Sequence, residues 1–337
     1  MAITTLDAAL AGMQYPREFI KAVTGTLVSG RPFSTIYLAG MPGAAVAPTP
    51  GLKGATLTTY AGQIPFVNPS GGSNTYLARL QGMASQAGSL LLCDRLWHNS
   101  GYSITTTGAQ IIGNPIVSSS VANPTVITCT GNVPFANSDV VSIVGHTGST
   151  PAISGTYTIS GVSGATFTIP VSVSVGGSGG SVGIPLPPRD ADGTSVGNQV
   201  HLGVEVSADV GSAAPTLTAI YTNTAGVAGR TNTNLVATTT TSLKGTFYPI
   251  SLQAGDTGVQ LIQSLGLSVS WVSGTISLVA YRILARLELT GANIPNAIDA
   301  ITSGFPRLYD NTVPFLIFVP NTTTTSNITG SVVWTQG

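Results

Sequence analysis

The sequence predicts a mainly β protein. The expected architecture is a β-sandwich or jelly-roll-like host domain with short N- and C-terminal helices, interrupted by a small Ig-like β domain. Three observations predict it. Short runs rich in Val, Ile, Thr and Ser alternate apolar with polar residues, the period of a half-buried strand. Gly (41 residues) and Pro (21 residues) punctuate those runs every few positions. Between Arg95 and Arg189 the only charged residue is Asp139, which sets an inner tract apart from its flanks.

The composition bounds the function. Of 337 residues only 7% are charged, against roughly 25% in average globular chains. The 12 basic and 12 acidic residues cancel, so there is no basic excess of the kind a nucleic-acid binder shows. With 42% hydrophobic residues, the chain can bury enough surface to fold. The apolar runs "SLLLC" and "PFLIFVP" are far shorter than the roughly 20 residues of a membrane helix. The start, "MAITTLDAAL", lacks the basic stretch and apolar core of a signal peptide, so a soluble chain not exported by a cleavable signal is expected. Net charge keeps free proteins apart. A neutral, Thr- and Ser-rich chain therefore suits a large assembly, where much of the surface faces other protein.

Taken in order, Leu6 to Thr24 carries the first helical pattern. Leu6, Ala9, Leu10 and Met13 fall at i, i+3, i+4 and i+7; Thr5 is the expected cap, and Pro16 breaks or restarts the helix. Arg17, Glu18 and Lys21 give this arm an exposed face. From Gly25 to Pro69 the chain is rich in loops, with "FSTIYLAG" and "TLTTYAGQIPF" as candidate strands. Two strands follow, Tyr76–Ala84 and Gly88–Trp97, with Gly82 a candidate bulge. In the inner tract "PTVITCTG", "DVVSIVG", "GTYTISGV" and "ATFTIPVSV" are strands about a dozen residues apart, the spacing of a small sandwich or barrel. Beyond Arg189, strands are expected at "GNQVHLGVEVSADV" and "PTLTAIYTN", then one or two in "NLVATTTTSLKGTFYPISL". "VQLIQSLGLSVSW" and "GTISLVAYRILARLEL" read as a hairpin across "VSG". "ANIPNAIDAITSGF" reads as a short helix, with Asn293 near its start, Pro295 at a tolerated first-turn position and Gly304 beyond its end. Two strands close the chain around a loop at Thr322–Thr325.

The strands in 76–97 need partners that only residues 197–337 can supply. Residues 1–112 and 189–337 are therefore expected to form one discontinuous host domain, with 113–188 inserted. On that reading "VSVGGSGGSVGIPLPPRD" is a Gly/Ser/Pro seam returning to the host beside its outgoing half, Gly113–Asn123.

Chemistry is sparse. "CDRLWHNSG" gathers Cys93, Asp94, Arg95 and His98. On a strand, however, Cys93 and Arg95 share one face and Asp94 takes the other. An ion pair near a strand end and a buried thiol are expected. Cys93 and Cys129 read as reduced and buried, with a disulfide unsupported. His98, His146 and His201 are too dispersed for a metal site or triad. No GxSxG, HExxH or P-loop is present, and "GGSGG" lacks the Lys and helix of a phosphate loop. The single Asp residues of "SADVGSAAP" and "QAGDTG" fit turns better than a calcium loop. No catalytic, cofactor-binding or metal-binding residue is expected.

The tract from about 121 to 182 resembles a small β-module of phage virion proteins. Its carriers are "TVITCTG", "SDVVSIVGHTG" and "ISGTYTISGVSGATFTIPV". Outside it, the segment beginning "MAITTLDAALAGMQYPREFIKAV", with "AGQIPF", "LLLCDRLWHNSG", "TFYPISLQAGDTGVQ", "LVAYRILARLEL" and "GFPRLYDNTVPFLIF", resembles tailed-bacteriophage virion proteins of accessory-capsid type. The resemblance implies a non-enzymatic virion protein assembled in the host cytoplasm. Its first form is a homo-oligomeric decoration or cement protein, such as a trimer, bound to the major capsid protein or other virion proteins, without nucleic acid or membrane. The alternative is a neck, tail or fibre component whose inserted module contacts the host surface; a depolymerase is a distant third. Leu6, Leu10, Met13, Arg17, Phe19, Lys21, Arg31 and Phe33 are the candidate intersubunit contacts, drawn from the arm and the loop-rich Arg31–Pro50.

Overall fold

The computed structural model describes residues 3, 5–231, 235–236, 242–304 and 306–337. The protein is mainly β, built from antiparallel sheets with two short helices. A central sheet runs in the order Phe247–Ile250, His201–Ala208, Thr275–Leu289, Gly88–His98, Pro314–Pro320 and Phe33–Ser34. A terminal sheet orders Asn296–Asp299, Thr75–Ala84, Ser326–Gln336, Arg17–Val23 and Gly40–Met41. A third sheet orders Arg230–Thr231, Thr216–Asn223, Val259–Leu267 and Gly108–Ile111.

Two sandwiches share the central sheet. Leu90, Leu92, Leu284, Leu287 and Leu289 pack on Phe19, Leu77, Leu80, Ile328, Val332 and Trp334 of the terminal sheet. Further along the same strands, Leu96, Trp97, Ile276 and Leu278 pack on Leu217, Tyr221, Leu265 and Leu267 of the third sheet. Leu90, Leu92 and Leu96 keep one parity, as do Ile276, Leu278 and Leu284, so both cores lie along one face of the central sheet. The ladder between Thr275–Leu289 and Gly88–His98 shifts register at Ala280/Tyr281 and at Ile283/Ala285. Each extra residue re-aims the side chains that follow it.

Strands joined by short links here sit in different sheets. Thr75–Ala84 pairs with Ser326–Gln336, while Gly88–His98 pairs with Thr275–Leu289 and Pro314–Pro320. The hairpin expected across "VSG" is therefore an arch: Val259–Leu267 pairs with Thr216–Asn223, and Thr275–Leu289 pairs with His201–Ala208. Each strand is paired on both edges within its own sheet, and the two meet face to face across a shared core through Ile262, Leu265 and Leu267 on one and Ile276 and Leu278 on the other. Trp271, fully buried in the link, fills the end of the arch.

Other expectations change as well. The N-terminal helix covers only Leu6–Ala11, with Thr5 accepting the Ala8 N–H at 3.1 Å. Arg17–Val23 is a strand because Phe19, Lys21 and Val23 alternate inward. "FSTIYLAG" gives a two-residue strand and then a 3-10 turn over Thr35–Tyr37, and "TLTTYAGQIPF" gives only the end of Ala55–Thr56. The bulge in Thr75–Ala84 falls beside Leu77/Arg79, not at Gly82, which pairs in register with Gly330. Near the C-terminus, Asn296–Asp299 is a strand against Thr75–Ala84. The helix there is Ala300–Ser303, started by an Asp299 capping box and ended by Gly304 at φ 73°. Of "NLVATTTTSLKGTFYPISL", residues 237–241 lie outside the described residues, as do 232–234 of the preceding turn.

A fourth sheet is drawn only from Asn114–Gly183, in the order Gly155–Thr158, Val140–Val144, Ser181–Gly183, Asn114–Ser119, Thr125–Cys129, Thr166–Ile169 and Ser160–Ser163. Its first and last strands are separated in sequence by Ile159 alone, so the sheet curls back on itself around Ile127, Val141, Ile143, Phe167 and Ile169. The outgoing strand pairs with the returning one, Ser181 opposite Pro115 and Val182 opposite Asn114.

The Gly/Ser run is not a slack linker. Ser178 bridges both Ser118 and Thr147. A Cβ on Gly177 would lie 2.3 Å from the Thr147 carbonyl oxygen, and one on Gly180 would lie 2.4 Å from that of Val144. Glycine lets this strand thread between two others at backbone contact distance.

Candidate functional site

The charged cluster of "CDRLWHNSG" divides between the two faces of its strand. Arg95 Nη2 and the Tyr37 hydroxyl both donate to Glu205 Oε2 at 2.8 Å. Arg95 Nε donates to His98 Nδ1 at 3.2 Å, and the guanidinium lies over the Tyr60 ring at 5.0 Å. Cys93 lies on this face among Ile36, Tyr37 and Phe315. On the opposite face Asp94 accepts from the Val313 N–H at 2.9 Å and from Arg189 Nε at 3.1 Å. The expected single ion pair is thus two, because alternation sends Asp94 and Arg95 to separate partners. Arg95 and Glu205 are wholly buried, so no substrate reaches them; they hold the Thr35–Tyr37 turn to the central sheet.

Burial first, and the Arg95 charge second, pull the His98 imidazole down to about 3. It stays neutral in the fold, while an unfolded chain takes up the proton near its ordinary value of about 6.5. This contribution to stability is complete above that value and declines as pH falls toward 3, by about 1.4 kcal/mol per pH unit. Urea unfolding at pH 6.5 and pH 5 should show that decline, and His98→Gln should remove it. An unchanged slope in the variant would contradict the assignment.

Arg189 and Asp190, where charge returns after the inner tract, anchor the chain beyond it. Besides Asp94, the Arg189 guanidinium donates to the carbonyls of Leu57 at 2.8 Å, Arg95 at 3.1 Å and Asn311. Asp190 accepts from the N–H groups of Asp192, Thr194, Gly197 and Asn198 and from the Thr194 hydroxyl. Together these groups fold 190–198 into a turn and hold the carboxyl below its ordinary value, against the opposing effect of burial. Nearby, Lys53 pairs with Asp139 of the inner tract at 2.6 Å. A cleft of about 1,110 Å³ opens there, lined among others by Lys53, Asp139, Pro187, Arg307 and Tyr309.

The candidate contact residues separate clearly. Phe19 and Phe33 are core residues of the terminal sandwich. Lys21 is buried and donates to the carbonyls of Leu38 and Pro42, and burial pushes its ammonium down to about 8. These three are used inside the chain, since the strand turns them inward. Arg17 and Arg31 are half-buried. Leu6, Leu10 and Met13 are 63%, 53% and 46% exposed, so the helix's apolar stripe faces solvent and Ala9 faces the sheet. In the Arg31–Pro50 segment, Ile36, Tyr37 and Ala45 cover the central sheet of the same chain.

Sequence reasoning missed the outer face of the terminal sheet. Register aligns Met41 with Ile20, Ile20 with Thr329 and Thr329 with Met83. The three apolar members are 45%, 52% and 39% exposed. Only strand pairing, which a single sequence does not display, brings them into one row. Among the described residues, no three His, Cys, Asp or Glu side chains come together to hold a metal ion.

No family model matches the chain, and no curated protein matches it. Among solved structures, an infectious bursal disease virus (IBDV) particle aligns with 96% of this chain and 77% of its own, at 9% identity and a TM-score of 0.17. The VP2 subviral particle of infectious bursal disease virus aligns with 81% of this chain and 83% of its own, at 11% identity and a TM-score of 0.14. Superpositions at this level carry no argument about fold or function.

Proposed function

We propose that this chain is a non-enzymatic structural protein of a tailed-phage virion, a decoration protein that binds the outer head shell and stabilises it. The observation that carries the reading is its surface. Of 24 charged residues, Lys21, Asp94, Arg95, Arg189, Asp190, Glu205 and Arg282 are buried. The remaining 17 are spread over 13,086 Å² of accessible surface. Such a charge-poor surface, with exposed apolar side chains along its length, suits a protein covered by neighbours. The resemblance of the terminal segments to accessory capsid proteins supplies the virion.

Cementing requires only added contact. Each neighbour pair must bury on the order of 1,000 Å² for a specific interface, and repetition over a shell multiplies weak contacts. The partners on this reading are the major capsid protein and further copies of the chain, in particles assembled in the host cytoplasm. The module at 113–188 points away from the shell. Particles made without the chain should release their DNA at lower temperature, and purified protein added back should restore the wild-type value. Unchanged heat stability combined with failed attachment to cells would favour the neck or fibre role instead.

A further inference from the structure

We propose that Lys53 and Asp139 form a releasable brace that fixes the tilt of the sheet at 114–183 on the rest of the chain. Asp139 is the only charged residue between Arg95 and Arg189, and Lys53 Nζ meets both of its carboxylate oxygens at 2.6 Å. A built turn presents each partner. The Gly54 N–H closes the turn at 51–54 on the Gly51 carbonyl, and bonds to Asn99 and Ser100 tie that turn to the end of Gly88–His98. On the other side Ser138 stands at φ 72°, a conformation uncommon for a residue with a side chain. The Asp139 carboxylate accepts the Ala136 N–H at 2.7 Å, and its carbonyl accepts the Ile159 N–H.

The surrounding geometry is that of a body set on a stem. The stem is the pair of strand ends in which Pro115 faces Ser181 and Asn114 faces Val182. Val140–Val144 runs beside it, with Val144 opposite Ser181 and Ser142 opposite Gly183. Past the end of that strand, a Cβ on Gly145 would lie 2.6 Å from the Gly226 carbonyl oxygen, and Ser181 Oγ lies 2.7 Å from Thr222 Oγ1. Before its start comes Asp139, about 10 Å from Ser142 along the strand. Two contacts therefore brace opposite ends of one strand. The Gly226 end is steric and holds at any ionic strength. The Lys53 end is electrostatic. It borders the cleft of about 1,110 Å³, and its side chains are 28% and 19% exposed, so dissolved ions screen it.

Most exposed ion pairs contribute little, because two flexible side chains must be ordered to form them. Here both turns are fixed beforehand and both carboxylate oxygens are engaged. The pair can also let go without unfolding its own sheet, whose core of Ile127, Val141, Ile143 and Phe167 does not include it. On release the sheet rocks about its stem and the cleft widens. In a shell, the tilt sets the direction in which the sheet at 114–183 points. The brace itself requires only that this sheet moves as one unit. It is tested on purified full-length protein, so its failure leaves the virion role standing.

The test is a distance measurement by electron spin resonance, with spin labels at Thr59→Cys and Ser163→Cys, both exposed positions. The native Cys93 and Cys129 are buried and stay unlabelled. At about 0.1 M salt the otherwise wild-type chain should give one narrow distance. Asp139→Asn keeps an acceptor for the Ala136 N–H and removes the charge. That variant and Lys53→Met should each raise the fraction outside the narrow peak about fivefold, and combining them should raise it no further. Salt at about 1 M should move the wild type the same way and leave both variants unchanged. Cooperative melting of each variant shows that it folds. Variants that keep the narrow peak, a wild type that is broad at low salt or indifferent to salt, or an effect of Asp139→Asn that Lys53→Met does not share would each overturn the proposal.

Discussion

Arg189→Met is expected to destabilise the protein by about 3–5 kcal/mol, the cost of removing one partner from a buried ion pair. Asp94 is wholly buried and retains only the Val313 N–H once the guanidinium is gone. Three backbone carbonyls, from Leu57, Arg95 and Asn311, lose their donor in the same step. The buried carboxylate then keeps the charge of Arg282, its partner in the ladder, but loses its hydrogen-bonded guanidinium, which costs stability. Adding Asp94→Leu should recover part of the loss, because an apolar pair avoids the desolvation of both charges. Urea unfolding of the two variants measures this. A loss below about 1 kcal/mol in the single variant, the range of surface pairs, would show that Arg189 does not anchor the chain.

Gly180→Ala should have the second-largest effect, and a local one. Gly180 has φ 81°, and its Cβ would meet backbone on both sides: the Val144 carbonyl oxygen at 2.4 Å and the His146 N–H nitrogen at 2.6 Å. Backbone strain of this kind costs about 1–3 kcal/mol, and the overlap adds a further 1–3 kcal/mol. The module has its own core. We therefore expect scanning calorimetry to show one transition moving down by many degrees while a host transition holds. Gly179 offers a control, since it shares the positive φ but has nothing within 4 Å of its Cβ. If Gly180→Ala and Gly179→Ala behave alike, close threading of the run is not what makes glycine necessary there.

Most strands were legible because alternation survives in the letters. "VHLGVEV" and "TVITC" read correctly for that reason. Pairing was less legible. The hairpin signal at "VSG", like the loop at Thr322–Thr325, joins strands of different sheets. A one-dimensional pattern does not say whether the second face meets a neighbouring sheet or a covering loop. The same limit hid the Met41–Ile20–Met83 row, whose members are far apart in sequence.

The arm shows the opposite error. Its i, i+4, i+7 stripe was legible, but on a helix of six residues the pattern does not say whether the stripe faces the core. Here it faces out, and the strand beyond Pro16 turns Phe19 and Lys21 inward. The charges were partly legible. Asp94 and Arg95 had to lie on opposite faces, yet their partners, Arg189 and Glu205, lie about a hundred positions away. The signal that could have found Arg189 was its isolation: a lone Arg-Asp pair ending a tract with a single charge is poorly placed for a solvated turn.

The central claim is that this chain is a repeated, surface-bound component of a virion shell. A cryo-EM map of the purified particle tests it most directly. The account predicts density for this chain at every equivalent lattice position on the outer head, with the terminal sheet against neighbouring protein and the module at 113–188 outermost. Density confined to one ring at the neck or tail, or none in the particle, would contradict it.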